Sequence, residues 1–570
     1  MHNDEIARIF EELADLLEIA GANPFRVRAY RNAARMLRGL AKDVGEMLER
    51  DEDLSELATI GKDLAGKIEE IVDTGRLAAL ENLKQTVPAR LAELTRIPGI
   101  GPKRAKLLNE KLGVTSRASL KRAAERGKLR LVPGFGPSLE EKVIKFFKAD
   151  RSLDERTRLY DAEKIAERLV NYLKQVTKSS DIIIAGSYRR RLETVGDLDT
   201  VVASATPKKV MDHFVAFEEI DTVDAKGTTR ATVQLRSGMQ VDCRVVARDD
   251  YGAALVYFTG SKAHNIALRK RAAARGLKMN EYGVFKGGTK VAGRTENDVY
   301  AAVGLPLIPP ELREVRGEIA AGEKGKLPRL IALKDVRGDL HVHTKASDGL
   351  NTIRDMALAA QKRGYAYLAI ADHTKHERIA HGLTPARLER QIDEIDRLND
   401  ELSGVRILKS SEVDILADGS LDMPDSVLEK LDYTVCAVHF DFDLTPAEQT
   451  ERVIRAMDHP AFSILAHPTC RLIGARDPMA VEMERLMDAA LERGCYLEAN
   501  GQPERLDLND IYCRMAKDRG LKLVLSTDAH SVDQLGFMRF SIDQARRGWL
   551  EKDDVINTRL WRDLKALLKR

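Results

Sequence analysis

The 570-residue sequence predicts a multidomain chain whose parts are helical, then α+β, then α/β, and three patterns predict it. Apolar residues recur at helical spacing through the first 80 positions. Two alternating runs flank a turn at Arg236-Ser237-Gly238. Beyond about residue 338, short apolar runs alternate with helical patterns. The length exceeds what one hydrophobic core organises, so roughly three to five domains are expected.

A composition of 44% hydrophobic and 32% charged residues describes a globular protein. No stretch approaches the roughly 20 apolar residues that span a bilayer, so no membrane role is expected. Met1-His2-Asn3-Asp4-Glu5 lacks the basic and apolar regions of a secretory signal. The cysteines (Cys243, Cys436, Cys470, Cys495 and Cys513) are scattered and form no C-x-x-C pair. Reduced thiols in a cytoplasmic protein, without a zinc ribbon, are expected. The net charge of +3 does not by itself announce nucleic acid, so charge placement carries more weight.

Residues 1–80 read as a helical domain. Ile6, Ile9, Phe10, Leu13, Leu16 and Leu17 form one apolar stripe, and a second helix from Phe25 to Leu40 carries Arg26, Arg28, Arg31, Arg35 and Arg38. Three segments then resemble one another: Thr59-Ile60-Gly61-Lys62, Ile97-Pro98-Gly99-Ile100-Gly101-Pro102 and Val132-Pro133-Gly134-Phe135-Gly136-Pro137. A Gly-x-Gly turn opening a helix presents free backbone N–H groups at the positive end of the dipole, which suits a DNA phosphate. No strand precedes these turns, so a dinucleotide-binding reading is excluded. They resemble helix-hairpin-helix motifs, and residues 81–150 read as a DNA-binding domain with Gly99, Gly101, Lys103, Gly134 and Gly136 as contacts. The first copy is degenerate.

Residues 151–250 change to mixed α/β. Between Gly186 and Asp199 the chain reads G-S-Y-R-R-R-L-E-T-V-G-D-L-D, behind the strand-like run Asp181-Ile182-Ile183-Ile184. Strand period two points Asp197 and Asp199 the same way, and hard oxygen ligands aimed at one spot suit Mg²⁺. Gly186-Ser187 allows close backbone approach, and Arg189 to Arg191 are placed to meet phosphate oxygens. The hairpin arms Thr229–Leu235 and Gln240–Val246 carry Asp242, an acid in a setting where Asp is depleted. It reads as the third metal carboxylate of a nucleotidyl-transfer site holding two Mg²⁺ ions.

Residues 313–334 are polar and glycine-dotted and read as a linker. After it, nine of the twelve histidines fall between His341 and His530. Apolar runs end in Asp372-His373, lead to Glu412 and Asp414, end at His439, end at His467, and end in Asp528-Ala529-His530; His341 and His343 open the series. Strand–helix alternation implies a parallel sheet whose carboxyl ends converge on one rim. Mixed imidazole and carboxylate ligands favour Mn²⁺, Zn²⁺ or Fe²⁺, in a cluster of two or three ions.

The D-L-H-V-H-T-K-A-S-D-G segment at Asp339, A-D-H at Ala371 and S-T-D-A-H at Ser526 resemble the polymerase-and-histidinol-phosphatase (PHP) domain, a (βα)7-type barrel. The resemblance implies nine ligands: His341, His343, Asp348, His373, Glu412, His439, His467, Asp528 and His530. The first 312 residues resemble a family X DNA polymerase through G-S-Y-R-R-R…G-D-L-D, Asp242 and Y-F-T-G-S-K-A-H-N at Tyr257. That resemblance implies a palm at 151–250 and a nucleotide-selecting subdomain at 251–312. It implies triphosphate contacts at Gly186, Ser187, Arg190 and Gly196, a sugar and base pocket at Tyr257, Phe258, Gly260 and Asn265, and a template-side Arg269. Lys262 stands where the family pattern has aspartate and adds an attraction to the nucleotide. Lys67 and Tyr30 align with a lyase lysine and its supporting tyrosine, while Phe25 replaces the expected histidine.

The expectation is a cytoplasmic, monomeric gap-filling DNA repair polymerase acting on gapped or nicked DNA with dNTPs. Its PHP domain, residues 335–570, adds Mn²⁺- or Zn²⁺-dependent 3′→5′ exonuclease, 3′-phosphatase or abasic-site endonuclease activity. A nucleotidyltransferase for RNA ends or small molecules is the second reading, and a non-catalytic DNA scaffold the third.

Overall fold

The computed structural model describes residues 3–40, 44–50, 52–57, 59–86, 94, 97, 99–148, 156–178 and 181–568. These divide into two compact units, Met1–Glu155 and Arg156–Arg570.

The first unit is helical throughout its described residues. Helices Asn3–Ala20 and Pro24–Gly39 pack through the apolar stripe, with Ile6, Phe10, Leu13 and Leu16 buried. Arg31 reaches Asp15 and Glu18 on the first helix, and Arg38 reaches Glu11. Part of the expected cationic face therefore binds helix to helix rather than facing a ligand. Gly61 and Gly101 cap helices Lys62–Thr74 and Pro102–Leu112, and Gly136 precedes helix Pro137–Lys148. The left-handed turn falls on Gly99 and Gly134, both at φ +83°, but on Thr59, φ +76°, in the first copy. That is the physical content of its degeneracy, because a side chain there is strained. Gly99 has a second constraint: a Cβ would stand 2.5 Å from Leu139 Cδ1.

In the second unit, a five-stranded sheet runs in the order Ile182–Ile184, Asp197–Ala203, Gln240–Val246, Arg230–Leu235, Ile220–Lys226. Helices Leu159–Leu173 and Pro207–Phe214 cover one face of it with Leu169, Leu173, Val210 and Phe214. This core also takes in Leu506 and Phe540 from far along the chain. A three-stranded sheet, Lys278–Asn280, Gly283–Lys286 and Thr289–Ala292, follows helices Tyr251–Thr259 and Lys262–Ala273. Residues 313–334 are anchored: Arg313 is fully buried and Glu318, at the start of helix Glu318–Glu323, accepts from the buried His264 Nδ1 at 2.6 Å.

The carboxyl-terminal part holds two parallel arcs. One is Gly338–Val342, Tyr367–Ile370 and Arg406–Lys409; the other is Glu412–Asp414, Val435–Ala437, Ile464–Leu465, Tyr496–Asn500 and Leu523–Ser526. Isolated parallel bridges, Val342 with Ala529 and His373 with Glu412, join them. Parallel strands covered by helices are buried on both faces, which explains the near-continuous apolar runs. Their carboxyl ends meet at one rim, where the histidines lie.

Candidate active sites

Strand Asp197–Ala203 runs parallel to Gln240–Val246 with Asp199 paired in register against Asp242. Asp197 and Asp199 share a face, while Leu198 between them is fully buried in the core. Three carboxylates therefore occupy one patch. Thr232 Oγ1 donates to Asp242 Oδ1 at 2.5 Å and Gln240 Nε2 to Asp242 Oδ2 at 2.7 Å, fixing that side chain. Burial, with repulsion from Asp197 and Asp242, pushes the Asp199 carboxyl up to about 7. Burial and Asp242 raise Asp197 as well. An all-oxygen donor set with mutual repulsion fits a hard divalent cation.

Gly186 opens a short helix, Gly186–Arg189, at φ +61°, and a Cβ there would lie 2.8 Å from Asp199 Oδ2. The small residue admits the carboxylate. The three arginines that follow part company. Arg189 is taken by Glu296 at 2.6 Å and by Thr259 Oγ1 at 2.7 Å, and Arg191 by Asp543 at 2.7 Å and Glu163 at 3.3 Å. Neither of those two lines the cavity beside the carboxylates. Arg190 alone lines the site, its Nη1 donating to Thr259 O at 2.6 Å and its Nε to Glu314 Oε1 at 2.9 Å.

A cavity of about 630 Å³ joins Gly186, Ser187, Arg190, Asp197 and Asp199 to Tyr257, Phe258, Gly260, Lys262, Asn265 and Arg269. Gly196 is exposed and is not part of this lining; a Cβ there would stand 3.0 Å from Arg156 Nη1. Asn265 Nδ2 donates to Tyr257 O at 2.6 Å, and its Oδ1 is buried without a hydrogen-bond partner among the described residues. Arg156 also lines the cavity, held by Thr194 Oγ1 at 2.9 Å and Thr194 O at 2.7 Å. Sequence reasoning missed it, since a single arginine outside any periodic segment carries no local signal.

In the histidine-rich domain all nine expected ligands converge. His343, Asp348, His373 and His530 bring ligand atoms within 4.8 Å of one another, as do His341, His343 and Asp528, and His373, Glu412 and His439. His467 Nε2 lies 2.8 Å from Glu412 Oε1. Three overlapping groups fit a cluster of ions better than one ion. His343 Nδ1 and His467 Nδ1 are buried without hydrogen-bond partners among the described residues. His467 and Asp528 sit at φ +27° and +52°, backbone strain of a kind that gathers at functional centres.

The charges interlock. Burial raises the cost of ionising Glu412, yet the imidazoles of His373, His341 and His439 hold it well below the carboxylate range. Burial pulls His439 down, but Glu412 and Asp414 outweigh it and push it up to about 10; Asp348 and Asp528 likewise push His530 up to about 9 against burial. Burial keeps His373 neutral, at about 3. Without an ion, protons on His439 and His530 balance the carboxylates, so a metal must displace them.

Two acids behind the ligands complete the centre. His341 Nδ1 meets Glu498 Oε1 at 2.7 Å, and His439 Nδ1 meets Asp414 Oδ1 at 2.7 Å. Glu498 also accepts the His467 N–H at 2.7 Å and the Ser526 hydroxyl. Such partners fix ring orientation and tautomer. Glu498 was missed; its signal is an acid inside the apolar run Tyr496–Asn500.

In the helical unit, Lys67 pairs with Asp63 one turn earlier, while Tyr30 is buried edge-on against Phe10. Lys103 is exposed beside the Gly99–Gly101 turn.

Comparison with known proteins matches this architecture segment by segment. Residues 1–77 match a helix-hairpin-helix domain, 91–149 a SAM-like helix-hairpin-helix tandem, 159–241 the DNA polymerase beta palm, 254–314 the DNA polymerase beta thumb, and 339–501 the PHP domain. The DNA polymerase/3′-5′ exonuclease PolX of Bacillus subtilis is 38% identical over 100% of both chains. A probable phosphatase of Acetivibrio thermocellus is 31% identical over 35% of this chain and 81% of its own, and DNA polymerase lambda of Arabidopsis thaliana is 24% identical over 55% of this chain and 62% of its own. Asp197 and Asp199 lie in the palm match and seven of the nine histidine-centre residues in the PHP match, with Asp242, Asp528 and His530 beyond the matched segments, and the chain belongs to the family X DNA polymerases that carry a carboxyl-terminal PHP domain.

Proposed function

We propose that Asp197, Asp199 and Asp242 are the catalytic metal ligands of gap-filling DNA synthesis and that the nine PHP residues form the centre of a 3′→5′ exonuclease. The enzyme is a DNA-directed DNA polymerase with a metal-dependent phosphoesterase domain. The observation that carries the polymerase assignment is the in-register pairing of Asp199 with Asp242 beside Gly186, where Asp197 and Asp199 line a cavity of about 630 Å³. Substrates in this reading are gapped or nicked DNA and dNTPs, with Mg²⁺ in the palm and Mn²⁺ or Zn²⁺ in the PHP centre, in a cytoplasmic monomer. Among the described residues no helix is long and apolar enough to cross a membrane.

Divalent ions, when bound, polarise phosphoryl oxygens and lower the pKa of the attacking hydroxyl or water. The chain's own residues do the positioning. Glu314 and the Thr259 carbonyl hold the Arg190 guanidinium at the cavity wall, ready for a triphosphate oxygen. The Gly186–Ser187 backbone closes against the anion, Tyr257 and Phe258 border the sugar, and the free Asn265 Oδ1 faces a base-side donor. Arg269 and the turns at Gly99, Gly101, Lys103, Gly134 and Gly136 take template and backbone phosphates. In the PHP centre, Glu498 and Asp414 orient His341 and His439. 3′-Phosphatase and abasic-site cleavage use the same centre; a lyase role for Lys67 requires it to leave Asp63.

Separation of function tests this reading. Asp197→Ala with Asp199→Ala abolishes Mg²⁺-dependent extension on gapped DNA and spares Mn²⁺-dependent 3′-end digestion; His341→Ala with His343→Ala does the reverse. Primer extension by the palm variant overturns the assignment.

A further inference from the structure

A cleft of about 420 Å³ is lined by residues of the palm helix and of the carboxyl-terminal part, two proposed metal ligands, Asp528 and His530, among them. Its volume lies in the range of roughly 300–1,000 Å³ typical of small-ligand sites. We propose that this cleft is the subsite for the 3′-terminal nucleotide of a DNA strand, with Arg505 binding its phosphate and the palm residue Tyr160 helping to wall its base. The proposal rests on the exonuclease reading of the PHP centre and specifies how that centre recognises an end.

Arg505 carries the argument. Its Nε lies 3.9 Å from Asp528 Oδ2, and its Nη1 is buried without a hydrogen-bond partner among the described residues. A buried guanidinium donor with no acceptor is unfavourable, and an oxygen arriving through the cleft relieves it. The side chain is aimed by its backbone: its N–H donates to Gln502 O at 2.9 Å, and its carbonyl accepts from Arg471 Nε at 2.8 Å. Gln502 in turn donates to the Asp528 carbonyl at 2.6 Å, which ties the Arg505 loop to the ligand strand. Arg158, the other cation of the cleft, is already held by Asp161 at 2.9 Å and Glu504 at 2.8 Å. The phosphate therefore falls to Arg505, whose nearest acid belongs to the metal centre.

The facing wall is apolar. Tyr160 and Phe537 meet edge-on at 5.3 Å, beside Leu472. Apolar rings, a guanidinium donor without an acceptor among the described residues and metal ligands in one cleft match the parts of a nucleotide end: base, phosphate and scissile bond. Tyr160 stands on the palm helix Leu159–Leu173, so the polymerase fold contributes a surface to the nuclease.

The test uses the full-length Mn²⁺-loaded enzyme and two single-stranded oligonucleotides, one ending in an ordinary 3′ nucleotide and one in a 3′ abasic residue. Arg505→Gln is expected to raise KM for the ordinary end about 10- to 100-fold with normal Mn²⁺ content and normal gap filling; Arg505→Lys recovers part of the loss. The wild type is expected to prefer the base-bearing end, and Tyr160→Leu to erase that preference; a wild type without the preference overturns the base wall. Unchanged KM in Arg505→Gln, or an unchanged preference in Tyr160→Leu, overturns the subsite. So does loss of Mn²⁺ from Arg505→Gln, which assigns Arg505 to the metal centre instead. Failure of the wild type to digest either end defeats the exonuclease reading itself, a separate result.

Discussion

Gly186→Ala is a one-methyl test of the polymerase site. The new Cβ lies 2.8 Å from Asp199 Oδ2, so the carboxylate must withdraw by about 0.6 Å to reach ordinary contact at 3.4 Å. The residue also sits at φ +61°, where a side chain costs roughly 1–2 kcal/mol. Strain of that size leaves the chain folded. Displacement of a metal-binding oxygen acts on chemistry instead, where misplacement by about an ångström costs on the order of 10²-fold. Single-turnover insertion on gapped DNA with Mg²⁺ is therefore expected to slow by about 10²-fold, while Mn²⁺-dependent 3′-end digestion continues. Gly276→Ala is the control: φ is +69° but nothing lies within 4 Å of its Cβ, so it carries the strain without the displacement. Insertion by Gly186→Ala at the Gly276→Ala rate refutes the claim that this glycine exists to admit Asp199.

Four further outcomes follow from the geometry and the charges. Glu498→Gln weakens the carboxylate behind His341 and is expected to lower PHP metal affinity roughly 10- to 100-fold without touching gap filling, as read by metal content after chelator challenge; full retention of metal contradicts it. Because His439 and His530 titrate near 10 and 9 in the ion-free centre, metal entry expels protons: Mn²⁺ affinity is expected to rise with pH from 6 to 9, and calorimetry showing a flat profile refutes this. The same shifts give the ion-free domain stability that is full below the ordinary histidine value and lost as pH rises through about 9 to 10. Arg547→Ala leaves Asp510 and Glu314 short of a buried partner that stands 2.7 Å and 3.3 Å away; a loss of about 3–5 kcal/mol is expected by denaturant melting, and an unchanged midpoint contradicts it.

Chemistry written in rare residues at strand ends was readable in the chain itself. Histidines closing apolar runs, and two aspartates at strand spacing, announce their direction because period two is a local property. Asp242 was legible because an acid interrupts an alternating strand. Partnership was not legible. The residues Arg189-Arg190-Arg191 do not by themselves distinguish the middle one, which only the family resemblance singles out; the pairing with Glu296, Glu314 and Asp543 comes through the fold. Residues 313–334 read as a linker, yet Glu318 is buried there, its carboxylate accepting at 2.6 Å from Nδ1 of His264, more than fifty positions earlier. Arg156 and Arg505 escaped for the same reason: a lone arginine acquires meaning only from what the topology sets beside it.

Leu506 and Phe540 lie inside the palm's hydrophobic core although both come from the chain beyond the matched PHP segment. Arg547 of the same helix as Phe540 donates to the carbonyl of Arg190 at 2.8 Å. A polymerase cut free at the start of the PHP segment would thus lose part of its own interior and a prop beneath its triphosphate arginine. The seam between synthesis and degradation runs inside one packed unit, so removing the nuclease from this chain also opens the interior of its polymerase.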